Sequence, residues 1–223
     1  MRDREIGMWH WKQVRYFALG GAALVSACAS LPDFPELSSL ALSEVRNGPE
    51  ALRPGSYELD PQHAHLYFAI NHMGLSLLYG RFDTFDANFS VDDSLTGASD
   101  FEMVIDVNSL FVSTEAFSET LRGDGWFNAE EHPQAVFRAR EITRMDERTG
   151  ILSGDLTLNG RTQPVEIRLI FNGGAFVALT GKYTVGFNAE GSFNRSDFGL
   201  GQYAGLVGDE VQLRFSGEFQ RVN

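Results

Sequence analysis

The sequence predicts an all-β domain, and three observations carry that reading. Side-chain polarity alternates with a period of two over most of the chain beyond Gly55, short polar turns fall where hairpins need them, and a single stretch breaks the alternation with helical spacing. Alternation gives each strand one apolar and one wet face, the mark of antiparallel sheet. Such a sheet must bury its apolar face, either on a second sheet or by closing on itself, and closure also removes the exposed edges.

The first 27 residues differ from the rest. Arg2, Arg4, Lys12 and Arg15 make the start basic, and Tyr16 to Val25 is an apolar or small-residue run ending in Ser26-Ala27-Cys28. Basic start, short apolar run and small residues form the pattern of a secretory signal, and the run falls short of the ~20 residues a spanning helix needs. Leu24-Val25-Ser26-Ala27-Cys28 resembles the bacterial lipobox, in which cleavage leaves the cysteine as the acylated first residue. Cys28 is the only cysteine, so no internal disulfide competes for it. Acylation on more than one chain anchors firmly, at ~0.8 kcal/mol per buried methylene. An uncleaved anchor helix and a free or intermolecularly bridged thiol are the competing readings. Ala29 and Ser30 follow, where lipoproteins retained at the inner membrane tend to carry aspartate, so the expected address is the periplasmic side of the outer membrane.

Residues 28–54 contain Pro32, Pro35, Pro49 and Pro54 among serines, Asn47 and Gly48, the composition of a tether. Residues 55–223 then form the domain. Leu66, Phe68 and Ile70 share a face, as do Phe101, Met103, Ile105 and Val107. Leu152, Gly154, Leu156 and Leu158 form a third set, Val165, Ile167, Leu169 and Phe171 a fourth, and Val211, Leu213, Phe215, Gly217 and Phe219 a fifth. Turns are expected at Val91 to Ser94, Glu147 to Gly150, Asn159-Gly160 and Asn172-Gly173-Gly174. The phase slips between Phe82 and Phe85, which predicts a bulge or sharp coil where a strand curves. Glu115 to Arg122, after the cap residue Thr114, reads as a short helix ended by Gly123-Asp124-Gly125, with Trp126 and Phe127 tucked inward behind it as a plug over one end.

Charge and motifs narrow the function. The full chain carries −12, and removal of residues 1–27 leaves −14, a balance that repels nucleic acid and anionic lipid surfaces. Membrane attachment must then come from lipid at Cys28. The chain has no G-x-S-x-G elbow and no H-E-x-x-H helix. His63 and His65, two apart on one strand, with His72 and His132 elsewhere, keep a metal enzyme in view as a rival; hydrogen-bonded or surface roles suit them better. Asp155, Arg195 and Asp197 are candidates for buried charge pairs. Eighteen Phe and five Met are more large soft groups than one solid core needs, and an interior of about eight strands is either filled or left open for one ligand.

From about Tyr57 to its end the chain resembles the YceI-like family of bacterial polyisoprenoid-binding proteins. The matching residues include Leu59-Asp60-Pro61, Asn71-His72-Met73-Gly74, Ser113-Thr114, Trp126-Phe127 and His132-Pro133. Gly154-Asp155-Leu156-Thr157-Leu158-Asn159-Gly160 is the most specific piece, and Arg195-Ser196-Asp197-Phe198-Gly199 and Val207 to Val211 complete it. The chain departs from the family pattern at Phe117-Ser118 and His65. The resemblance implies a single antiparallel eight-stranded, lipocalin-like barrel with a short helix between strands and an elongated apolar tunnel. It implies a non-enzymatic role with no required cofactor, an isoprenoid lipid or quinone as the bound ligand, and in some members a homodimer.

On that reading the candidate tunnel walls are Phe68 and Ile70, Met103 and Ile105, Leu156 and Leu158, Ile167 and Leu169, and Leu213 and Phe215. His72, Arg195 and Asp197 are the candidates for meeting a polar head group at the mouth. A filled barrel serving as an envelope structural or stress protein is the remaining alternative.

Overall fold

Residues 44–92 and 98–222 are described by the computed structural model. The signal segment, Cys28, most of the tether and part of the turn expected at Val91 to Ser94 lie outside them. Alternation of the kind seen in Leu66, Phe68 and Ile70 builds ten strands: β1 Gly55–His72, β2 Ser76–Phe82, β3 Phe85–Val91, β4 Ala98–Asp106, β5 Leu110–Phe111, β6 Gln134–Arg144, β7 Thr149–Leu158, β8 Arg161–Val177, β9 Lys182–Asn194 and β10 Val207–Arg221. They pair antiparallel in the order β10-β9-β8-β7-β6-β4-β3-β1-β2-β5, and β1 also pairs with β10, which closes the sheet. Since β2 and β3 are two halves of one bent strand along β1, and β5 continues β4 past the 3-10 turn Val107–Ser109, the closed wall is an eight-stranded barrel.

The bend falls at the expected slip. β2 ends at Phe82 and β3 begins at Phe85; the Asp83 and Thr84 amides donate to the Ser109 carbonyl and Oγ, so the kink is matched by the turn in its neighbour. A helix, α1, spans Glu115–Arg122, with the Thr114 Oγ1 accepting from the Phe117 amide as its N-cap. Ser118, fully buried, ties α1 to the preceding strand by accepting from the Val112 amide.

Asn172-Gly173-Gly174 is not a hairpin turn. β8 runs straight through it to Val177, with a bulge between Phe171 and Gly173 that places Gly173 at φ +134. The glycine supplies a conformation closed to other residues, and the bulge frees Gly174 to exchange backbone hydrogen bonds with Arg46. The β8–β9 turn lies further on, where the Thr180 and Gly181 amides both donate to the Val177 carbonyl. Asn159-Gly160, by contrast, is the β7–β8 turn, with φ of +49 and +68.

One end of the barrel is narrowed by a cluster of aromatic rings. Tyr57 stacks on Phe89 at 4.9 Å between ring centroids, and Phe89, Phe187 and Phe219 meet edge to face. The 3-10 turn Pro49–Ala51 lies over this end, held by the Tyr183 hydroxyl donating to the Ala51 carbonyl at 2.8 Å. The opposite end carries the β1–β2 hairpin, α1 and the segment between β9 and β10.

Candidate functional site

Inward faces of the strands above the aromatic floor enclose a cavity of about 880 Å³. That is in the upper part of the ~300–1,000 Å³ range of small-molecule sites. Its floor is formed by Phe89, Phe171, Phe187 and Phe219, and its far end by Phe117, Thr120 and Leu121 of α1 with Trp126, Phe127 and Tyr203. The residues expected behind the helix do turn inward: Phe127 meets Phe82 edge on, and Trp126 stacks on Tyr203.

All ten candidate wall residues line the cavity. Phe68 and Ile70 come from β1, Met103 and Ile105 from β4, Leu156 and Leu158 from β7, Ile167 and Leu169 from β8, and Leu213 and Phe215 from β10. They face the same space because residues two apart on a strand share a face and the closed barrel has only one inside. Phe68, Ile167, Leu169, Leu213 and Phe215 are only partly buried although their faces point inward, so the surface they expose belongs to the cavity. Charged groups border it at the β6–β7 turn, where Arg144, Asp146, Glu147 and Arg148 lie. Hydrogen bonds from the Thr149 hydroxyl and the Arg148 and Thr149 amides hold the Asp146 carboxyl below its usual range and fix that turn.

The three candidates at the mouth separate. His72, the last residue of β1, is exposed and lines the cavity. Arg195 also borders the cavity but is 5% exposed, and its guanidinium donates to the carbonyls of Gly208, Val207 and Leu200, so it fastens the 3-10 turn Arg195–Phe198 to the start of β10. Asp197 is exposed and absent from the cavity wall; its backbone carbonyl accepts from Gln163. Nor do Asp155, Arg195 and Asp197 form buried charge pairs: Asp155 pairs with Arg140 on the outer face. The backbone satisfies the buried cation, a solution that sequence does not display.

Among the described residues, one His and acid group has donor atoms close enough to share a cation: Asp60, His63 and Glu218, within 4.8 Å of one another. It sits outside the cavity on a large β1 bulge, where Leu59 and Ala64 oppose Phe219 and Gly217. Asp60 accepts from His63 at 2.9 Å, from the Gln62 amide and from Gln220, so its oxygens already hold the bulge together. Burial pushes the Asp60 carboxyl up, but the His63 and Gln62 hydrogen bonds outweigh it and leave the group lowered; the same bond to Asp60 raises His63. His65 lies against Tyr67 and takes no part.

The sequence reading missed the aromatic floor and the outer rim of the mouth. The floor is traceable, since Phe187 and Phe219 alternate in phase with their strands. The rim, formed by Met73, Leu75, Leu77, Tyr203 and Leu206, carries one signal, a local lack of charge.

Comparison with known proteins places the chain among relatives of the same build. Residues 57–219 match the model of the YceI-like domain. A UPF0312 protein of Yersinia pestis (strain Pestoides F) is 35% identical over 164 residues, 73% of this chain and 84% of the relative. One from Pectobacterium carotovorum (strain PC1) is 35% identical over 181 residues, 79% of this chain and 92% of the relative. Among solved structures, BcnA of Burkholderia cenocepacia superposes with a TM-score of 0.64 at 24% identity, over 72% of this chain and 98% of that one. A polyisoprenoid binding domain from Saccharophagus degradans, implicated in plant cell wall breakdown, superposes with a TM-score of 0.56 at 16% identity, over 76% and 99%. At these identities the structural likeness is one of fold.

Proposed function

The chain belongs to the YceI-like domain family, and from that premise we propose that its barrel binds a long apolar isoprenoid-type lipid, such as a quinone or polyprenyl compound, without transforming it. The observation that carries this reading is the cavity of about 880 Å³, walled by the inward faces of five or more strands and predominantly apolar. An isoprenoid tail gains ~25 cal/mol per Å² of apolar surface removed from water and needs shape more than polar partners. His72 is the side chain best placed to hydrogen-bond a carbonyl or hydroxyl head group at the mouth, since Arg195 is committed to backbone carbonyls. The polyisoprenoid binding domain of Saccharophagus degradans, which shares the fold, supports the same ligand class. The working place of the protein is the cell envelope, on the periplasmic side, with Cys28 acylated and held in the outer membrane.

Organic extraction of the purified protein, followed by mass identification, tests the reading. About one isoprenoid lipid per chain is the expected result. Leu156→Trp, which places an indole ring on the cavity wall beside Phe137, is expected to lower occupancy or select a shorter tail while the far-ultraviolet circular dichroism stays that of the parent. Protein that yields no stoichiometric lipid, even after incubation with isoprenoid lipids, would overturn it and return the barrel to a structural role.

A further inference from the structure

We propose that the rim of the cavity mouth is a docking lip for an uncharged lipid surface, through which the ligand enters directly from the bilayer. The inference rests on the lipid-binding reading above. Twelve large apolar side chains are exposed among the described residues, and seven of them cluster here: Met73, Leu75, Leu77 and Tyr79 on the β1–β2 hairpin, Phe117 on α1, and Tyr203 and Leu206 between β9 and β10. Leu75, at the hairpin tip, is 82% exposed. Single exposed apolar residues are ordinary on a soluble protein; a concentration at one end is the mark of an interaction surface.

Two features choose a lipid surface over a protein partner. The first is charge. Residues 66–80 and 198–208, which supply six of the seven rim side chains, contain no Asp, Glu, Lys or Arg in a chain that is 22% charged, and they meet where the Met73 amide donates to the Leu206 carbonyl at 2.8 Å; the charges at the rim are those of α1, Glu115, Glu119 and Arg122. A chain of −12 overall is repelled by anionic headgroups, so the fitting surface is zwitterionic. The second is continuity. Met73, Phe117, Tyr203 and Leu206 line the cavity as well as the rim, so apolar surface continues from outside to inside past His72 and Thr120. The hairpin is apolar on both faces, with Leu78 turned to the cavity and Leu77 and Tyr79 outward. Tyr79, Tyr203 and Trp126 supply the amphipathic rings that favour the headgroup level of a bilayer. A tail leaving the bilayer through such a lip never crosses water.

The test uses the full chain with Cys28→Ser, which removes its only thiol, and a single new cysteine carrying a polarity-sensitive dye. Leu75→Cys and Leu206→Cys report from the lip; Leu179→Cys, 84% exposed in the β8–β9 turn at the opposite end, is the control. With vesicles of phosphatidylcholine brominated in the acyl chains, the dyes at 75 and 206 are expected to shift blue and lose about half their intensity, as for groups ~5–10 Å below the headgroups. The dye at 179 is expected to stay unchanged, and admixed phosphatidylglycerol to weaken the effect at the lip. Equal response at all three positions, or none at 75 and 206, overturns the proposal. So does a blue shift without vesicles: one that grows with protein concentration assigns the lip to a second copy, and one independent of concentration assigns it to the chain's own amino-terminal segment. Failure here while the purified protein still yields bound isoprenoid lipid removes the docking and leaves the binding function standing.

Discussion

Tyr57 shows how much of the barrel's stability is written at single positions. Its ring is fully buried against Phe89, and its hydroxyl donates to the Arg53 carbonyl at 2.8 Å. Burial, with Tyr183 nearby and against the opposing pull of Arg221, pushes the phenol up to about 12 from its ordinary 10. The fold therefore favours the protonated ring. Its contribution is complete below pH 10, where both states hold the proton, and is lost as pH rises through about 12, because the unfolded chain releases its proton first. Urea unfolding between pH 10 and 12 is expected to show stability falling with pH. Tyr57→Phe is expected to cost ~1 kcal/mol at pH 7 through the lost hydrogen bond, and to flatten that fall by up to about one proton. Equal slopes in parent and variant would show that the phenol does not resist ionisation. At this scale the sequence is readable where a residue obeys its strand's period, as Leu156 and Leu213 do. It is opaque where a charge is satisfied by backbone, as with Arg195, whose partners are three carbonyls brought together only by the fold.

Strands are legible as long as their faces keep phase, and the errors come where a bulge or a glycine serves two ends. Asn172-Gly173-Gly174 has the residues of a turn, yet Phe171 and Phe187 face the same interior across it, and the extra residue is absorbed as a bulge. The true turn, Ala178-Leu179-Thr180-Gly181, has only its final glycine to mark it. Another bulge shows what such glycines protect. β6 and β7 slip register between Ala139 and Glu141, and there Gly154 packs so closely that a Cβ would lie 2.4 Å from the Arg138 carbonyl oxygen and 2.6 Å from the Phe137 ring. Backbone cannot yield as a flexible side chain does. Gly154→Ala is thus expected to destabilise by ~1–3 kcal/mol, read as a lower urea midpoint, because overfilled contacts force shifts in both strands. Since Phe137 lines the cavity, the same substitution is expected to reduce bound lipid; an unchanged midpoint would mean that β6 moves away freely.

At the scale of the whole molecule, the first described residues enter the barrel at the end opposite the proposed lip. There Arg46 pairs with Gly174 and Pro49–Ala51 lies under Tyr183, whereas the proposed lip is at the mouth. If an acylated Cys28 and the lip meet one bilayer, the leash must run back along the barrel. Fifteen residues, or sixteen Cα–Cα steps, separate Cys28 from Glu44, a reach of at most about 55 Å when extended. A wall of this strand length, tilted as in an eight-stranded barrel, stands ~40 Å tall. The leash therefore suffices only when largely drawn out, and deletion of residues 33–40 leaves a reach of ~30 Å, less than the barrel's height. In acylated protein carrying the dye at position 75, that deletion is expected to keep the protein in the membrane fraction while abolishing quenching by brominated lipid. A flexible insert of eight residues at the same place is expected to restore it. Quenching that survives the deletion would mean that lip and anchor do not depend on the leash to share one membrane.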